Sequence, residues 1–460
     1  MRMVKGKYVI TMDKQRRIIR DGCVVYDVDK IVDVGKTNVL KKEYSIDEVF
    51  GGKDFIVLPG LINTHMHLEF SFFRGLWDEI PLSLLKRSIA RAIPYMTLED
   101  IYISSLFSLV DLVKNGVTTT IHISPHAEKA AEAMAKLGTR GIVCEAMQDR
   151  EVGEREAPPK STEESLEDNV KLIEKWNGAE EDRIRAWFGP YTELLTTPEL
   201  LKRTKELAEK YRTGIHIHLA ETYESQMFTL GLYGKRVYEY VYDTGMLGPN
   251  VLAAHSCWLS ENEIKIIKKT NTKIAYCPSV EMMIADGVAP VPRLLSEGII
   301  VSIAIDDNAN NQTSDLIRDA RVASLLHKGL PPLDASIIPP EQALEMITVN
   351  PARALMWDDK IGSLETGKKA DIILLNIKKP YFMPLLDKPK TNIISNLIYA
   401  GTGNDVDTVI VDGKTIVKNK VVQTINEEEL FEKFQTAAED FVKRSNYVVE
   451  KKGRLLWPVE

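Results

Sequence analysis

Leu58-Pro59-Gly60-Leu61-Ile62-Asn63-Thr64-His65-Met66-His67 is a mostly apolar run that ends in two histidines one residue apart. A strand alternates faces, so residues two apart point the same way and both imidazoles can converge on one metal ion. Two such rings supply half of a four-ligand site, or two-thirds of a catalytic one. The plain alternative is a pair of unrelated histidines in a loop or core, a common outcome for so short a motif. What decides between them is the position of the run among its neighbours.

Leu61 to His67 is the first of eight strand candidates. The others are Val117 to Ile123, Arg140 to Ala146, Arg183 to Phe188, Gly214 to Leu219, Val251 to His255, Thr272 to Tyr276 and Ile300 to Asp306. Between them lie stretches with apolar residues at helical spacing. Leu98 to Lys114 is the clearest, ending at the C-cap signal Asn115-Gly116. Glu128 to Leu137, Glu164 to Trp176, Pro198 to Tyr211, Glu224 to Tyr242 and Glu261 to Lys269 read alike. Eight strands with helical crossovers predict an α/β fold, a (β/α)8 TIM-like barrel over 58–355, with its chemistry at the C-terminal ends of the strands.

The flanks are different. Lys7-Tyr8-Val9-Ile10-Thr11-Met12 and Cys23-Val24-Val25-Tyr26-Asp27-Val28 near the start are β-rich, as are Ala370 to Leu375 and Thr408 to Lys414 near the end. Residues 1–57 and 356–425 are therefore expected to form one small β-sandwich domain built from both chain termini, followed by a C-terminal helical tail over 426–460. The acidic run Glu427-Glu428-Glu429 suits the start of that helix.

Composition narrows the partners. In 460 residues with 44% hydrophobic content there is enough apolar material for a large core. The net charge is only -7, with 59 basic and 66 acidic residues interspersed, so no polycationic surface for nucleic acid stands out and a small molecule is the expected partner. No apolar run approaches a membrane span, and Met1-Arg2-Met3-Val4-Lys5-Gly6-Lys7 carries no signal core, which predicts a cytoplasmic protein with no membrane partner. Cys23, Cys144, Cys257 and Cys277 are scattered without metal-type spacing and read as buried filler.

With the strands placed, the polar residues acquire positions. His65 and His67 end the first strand, His122 the second, His218 the fifth, His255 the sixth and Asp306 the eighth. Most of the chain's eight histidines thus fall at one end of the barrel, as a site requires and a set of core histidines does not. Adjacent strand residues face opposite ways, so Asp306 and Asp307 cannot both point at one ion.

Pro59-Gly60-Leu61-Ile62-Asn63-Thr64-His65-Met66-His67, Arg74-Gly75-Leu76, His216-Ile217-His218-Leu219-Ala220-Glu221-Thr222, Cys277-Pro278-Ser279, Ala289-Pro290-Val291-Pro292, Asp306 with Asn310-Asn311, and Gly362 to Asp371 follow in an order that covers most of the chain. In these motifs it resembles the amidohydrolase superfamily, in the branch with one divalent metal that includes methylthioadenosine/S-adenosylhomocysteine deaminases and triazine chlorohydrolases. The resemblance implies His65, His67, His218 and Asp306 as ligands of one divalent ion, zinc first, with iron or manganese also suited to such a site. It favours Asp306 over Asp307, which then stands in the family's usual glycine place. It implies a hydrolysis in which Asp306 takes a proton from a metal-activated water, Glu221 passes a proton to the ring nitrogen and the leaving amine, and His255 bonds the attacking oxygen. His216 is expected to face inward one layer below His218, as a packing residue or a support for it. A homodimer is the family expectation.

The expected reaction is deamination of an amino-substituted nitrogen heterocycle of purine, pterin, pyrimidine or triazine type. The alternative is hydrolytic removal of chloride or an alkylamine from a triazine-like ring; a catalytically silent barrel used for binding is a third reading, which predicts lost ligands. Nucleoside-deaminating relatives carry a histidine after strand four and a ribose-binding glutamate. Here those stretches read Trp187-Phe188-Gly189-Pro190-Tyr191-Thr192 and Ala90-Arg91-Ala92-Ile93-Pro94, which speaks against an adenosine-type substrate. His122, Glu145, Tyr191 and Trp77 are candidate substrate contacts, and Phe70, Phe72 and Phe73 stand near enough to cover an aromatic ring.

Overall fold

The computed structural model describes residues 1–77, 80–151 and 159–445. Strands Leu61–Asn63, Val117–Ser124, Arg140–Met147, Ile184–Pro190, Ile215–Leu219, Val251–His255, Lys273–Tyr276 and Val301–Ile303 lie side by side in chain order, all parallel. Every residue of Val117–Ser124 is buried, as expected where interior side chains cover one face and helices the other. Two short extensions, Met66–His67 and Asp306–Asp307, pair in parallel and bring the eighth strand back to the first. Polar side chains complete that seam: Thr64 Oγ1 lies 2.8 Å from Ser302 Oγ, and the Ile305 N–H donates to Asn63 Oδ1 at 3.0 Å. The closure that joins strands one and eight therefore lies where His65, His67 and Asp306 stand.

Local sequence explains the crossovers. Helix Leu98–Lys114 opens with a reciprocal capping box between Thr97 and Asp100, and Ser161 with Glu164 does the same for helix Thr162–Trp176. The expected helix from Glu224 to Tyr242 is instead two, Tyr223–Tyr233 and Val237–Asp243. Gly234 in the left-handed region (φ 66) ends the first, and the second starts from a fresh cap at Arg236.

Both termini enter one eight-stranded sheet. Glu48–Pro59 lies at its middle, parallel to Arg2–Ile10 on one side and antiparallel to Ile372–Asn376 on the other. The sheet rolls over a small core of Val4, Val24, Tyr26, Phe50, Val57, Ile372, Leu374 and Ile410. Arg2 reaches across to the Gly413 carbonyl at 3.1 Å, and the Ala370 N–H donates to Asp29 O at 2.8 Å. That roll gives the flanks their sandwich-like layering, while the alternate residues Ile56, Leu58, Ile373 and Leu375 face the barrel's core. Helix Glu427–Ser445 stacks Phe434 on Phe107, ring centroids 3.8 Å apart, and sets Phe441 edge-on to Phe73. The rest of the tail, 446–460, lies outside the described residues.

Candidate metal centre and active site

His65, His67, His218, His255 and Asp306 converge at the seam of the barrel, none more than 5% exposed. His65 Nε2 and His67 Nε2 stand 3.4 and 3.7 Å from Asp306 Oδ1. His67 Nε2 is 3.3 Å from His218 Nε2, and the His65 and His218 ring centroids are 4.7 Å apart. Asp306 and His255 both have left-handed backbone, φ 73 and 70. Such a conformation costs on the order of 1–3 kcal/mol in a non-glycine residue and recurs where a side chain must be aimed at a site. Asp307 turns away: its Oδ1 accepts the N–H groups of Ala309 and Asn310, both at 2.7 Å, and its carboxylate also receives the Asn310 amide. The positive φ thus falls on Asp306, and Asp307 closes the following turn.

Hydrogen bonds fix which ring nitrogens face the centre. His218 Nδ1 lies 2.6 Å from the Tyr191 carbonyl, an acceptor only, so Nδ1 carries the hydrogen and Nε2 the lone pair. His67 Nδ1 sits 3.1 Å from Ser124 Oγ. Burial, reinforced by neighbouring imidazoles, holds His65 and His67 well below the ordinary histidine pKa, so both rings are neutral at pH 7. His65 Nε2 is buried with no hydrogen-bond partner. An orphaned lone pair beside two others and a buried carboxylate is a donor set suited to a divalent cation, and neutral imidazole is its usual form there.

His255 sits in a different field. Burial opposes its protonation, but Glu221 at 3.6 Å, Glu281 at 3.5 Å and Asp306 at 4.0 Å outweigh that and raise its pKa to about 10. Asp306 is pushed well above the usual carboxylate range by burial first and then by Asp307. A cation at the adjacent histidines would oppose that shift, since opposite charge favours the ionised carboxylate.

The remaining candidates divide. The Tyr191 carbonyl holds His218, and its ring lies 4.8 Å from that imidazole. His122 accepts the Leu68 N–H through Nδ1 at 3.2 Å, securing the loop after His67. Burial lowers its pKa to about 3. Glu145 is engaged elsewhere, accepting the N–H groups of His126 and Ala127 at 3.0 and 2.8 Å at the start of helix Ala127–Leu137. Trp77 stacks on Phe73 with centroids 3.8 Å apart, in an apolar cluster that includes Phe441. Phe70 also reaches the site, stacked on His67 at 5.1 Å.

Two buried acids escaped the sequence reading. Glu281 accepts the Cys277 N–H at 3.1 Å and faces His255 Nδ1; its place two residues beyond Cys277-Pro278-Ser279 was the available signal. Glu69, 2% exposed, has its pKa raised to about 8 by burial and lies two residues after His67.

Known proteins share this sequence pattern and architecture. The model of the amidohydrolase family matches residues 56–416. A 5'-deoxyadenosine deaminase of Methanobrevibacter smithii is 38% identical over 92% of this chain and 94% of its own length. A 5-methylthioadenosine/S-adenosylhomocysteine deaminase of Caldanaerobacter subterraneus subsp. tengcongensis is 33% identical over 96% and 98%. Among solved structures, an adenosine deaminase from Xanthomonas campestris with bound zinc superposes with a TM-score of 0.90 at 22% identity, covering 96% of this chain and 98% of that one. An atrazine chlorohydrolase from Arthrobacter aurescens complexed with zinc gives 0.86 at 23%, covering 95% and 100%. The match runs through the barrel and both arms of the terminal sheet, and the chain belongs to the amidohydrolase family.

Proposed function

We propose that this amidohydrolase is a metal-dependent deaminase of an amino-substituted purine, with an adenosine derivative as the substrate class. The observation that carries the reading is Glu221 and His255 beside the donor set of His65, His67, His218 and Asp306, which unites a metal site with two proton-handling groups. His65, His67, His218 and Asp306 hold the ion, zinc by analogy with the zinc-bearing structural neighbours. When bound, the ion is a Lewis acid that brings the pKa of a coordinated water from 15.7 toward about 7. Asp306 accepts a proton from the attacking water. Glu221 delivers its proton to the ring nitrogen as the C–O bond forms, is reloaded with the proton that Asp306 took, and passes that one to the amine as the C–N bond breaks; the hydroxyl proton lost as the ring carbonyl forms returns Glu221 to its starting state. His255, kept protonated by Glu221, Glu281 and Asp306, donates to the oxygen that becomes the ring carbonyl. One water enters, and one ammonia leaves.

The substrate class is the finer part. The missing histidine after strand four and the missing glutamate near Ala90 speak against a nucleoside, whereas relatives 33–38% identical over nearly the whole chain are named for adenosine derivatives. We take the relatives as the stronger guide, and the two departures as changes where the sugar end is held. Zinc-loaded protein is tested for ammonia release from 5'-deoxyadenosine, 5'-methylthioadenosine, adenosine, guanine and a chlorotriazine. Ammonia from the adenine nucleosides supports the reading; chloride release from the triazine with no ammonia from any purine overturns it. Elemental analysis showing no divalent metal in active protein overturns the metal assignment.

A further inference from the structure

Three of the four converging imidazoles are assigned as ligands, and each is anchored through Nδ1 on a different group. For His218 the anchor is a backbone carbonyl and for His67 a serine hydroxyl. For His65 it is another histidine: His65 Nδ1 lies 2.8 Å from His216 Nε2. Two facing ring nitrogens share one hydrogen, so this contact alone leaves the tautomer of both rings open. The far side of His216 resolves it. His216 Nδ1 is 3.0 Å from the Leu252 carbonyl oxygen, which can only accept, so the His216 hydrogen sits on Nδ1 and its Nε2 is the acceptor. The hydrogen between the rings then belongs to His65 Nδ1, and the lone pair of His65 is left on Nε2, the buried atom 3.4 Å from Asp306 that has no hydrogen-bond partner.

We propose that His216 is a positioning residue: through its bond to the Leu252 carbonyl it fixes His65 in the tautomer that turns a lone pair toward the metal. The strand Ile215–Leu219 thereby serves the centre twice. His218 at its end supplies a ligand, and His216, two residues earlier and on the same face, sets the proton position of a ligand on the first strand. Without the Leu252 bond, a His216 hydrogen on Nε2 would point at His65 Nδ1. That would place the His65 hydrogen on Nε2, where no metal can bind. A merely packed histidine would need neither bond, since an apolar side chain of similar size fills the same space.

The inference rests on the ligand assignment above, and the test separates the two. The parent protein, His216→Gln and His216→Phe are stripped, and their zinc affinity is measured by competition with a chromogenic chelator. Glutamine can accept from His65 Nδ1–H and donate to Leu252; phenylalanine can do neither. The expected result is affinity about 10- to 100-fold weaker for His216→Phe, the range for removal of an outer partner of a ligand, and near-parent affinity for His216→Gln. Parent-like affinity in His216→Phe, or equal losses in both variants, overturns the proposal; no zinc binding by the parent overturns the ligand assignment instead. If His216→Phe does not fold, histidine 15N spectra of the stripped parent decide: a proton on His65 Nδ1 before any metal is added supports the proposal, and one on Nε2 overturns it.

Discussion

Glu221 and Glu145 are carboxylates at the ends of barrel strands whose surroundings give them opposite work. Glu221 stands 3.6 Å from a buried His255 whose pKa the surrounding carboxylates raise, whereas both oxygens of Glu145 accept backbone N–H groups at a helix start. Glu221→Gln keeps shape and hydrogen-bonding capacity but cannot carry a proton. The variant should retain zinc by elemental analysis while kcat falls about 10²- to 10⁴-fold, the usual weight of a general acid-base group; undiminished turnover would remove Glu221 from the mechanism. Glu145→Ala should do the reverse, lowering thermal stability by about 1 kcal/mol through the lost cap and leaving kcat and KM near parent values. Strand ends alone do not distinguish these two residues, because the deciding contacts come from backbone 18 residues away in one case and from the sixth strand in the other.

The elements most legible in the sequence are those whose signal is local. Helix Leu98–Lys114 has the bounds that its spacing and Asn115-Gly116 predict, since capping and amphipathicity are written in consecutive residues. The same holds for ligand-bearing strands, where an apolar run must end in a polar residue at the barrel's mouth. Less legible were the pairing of Arg2–Ile10 with Glu48–Pro59 and the roll that brings Gly413 to Arg2, because register between distant strands depends on partners the local pattern does not name. One residue marks where sheet gives way to barrel. A Cβ on Gly60 would lie 2.1 Å from Thr118 Oγ1 and 2.7 Å from Thr118 Cβ, so rotating the threonine cannot make room. Gly60→Ala is therefore expected to cost about 1–3 kcal/mol, as overpacking does, read as a lower urea midpoint with unchanged slope; an unchanged midpoint would show that the strands separate freely.

At the scale of the molecule, barrel and terminal sheet are pinned by one buried cation. Arg140 opens the third strand, is 0% exposed, and bonds both oxygens of Asp371 at 2.8 and 3.1 Å and Asp412 at 3.0 Å. Lys369 joins Asp412 at 2.9 Å, and the Asp412 N–H donates to Asp371 at 2.7 Å. Burial alone would raise the Asp412 pKa, but Lys369 and Arg140 outweigh it and hold the carboxyl below its usual 3.8. A carboxyl whose folded pKa is depressed adds stability above its unfolded pKa and loses it as the pH falls through the folded value. Arg140→Met removes the cation and leaves two buried carboxylates facing each other, which should cost about 3–5 kcal/mol at pH 7. As the pH falls toward 3, Asp412 in the variant, no longer held ionised by Arg140, takes up a proton and the repulsion ends, whereas the parent loses the stability that its paired Asp412 supplied. The gap between the two should therefore narrow on acidification, measured as urea unfolding at pH 7, 5 and 4. A constant gap would mean that Arg140 acts by filling space beside Trp357, whose ring its guanidinium faces at 5.6 Å, and not by charge.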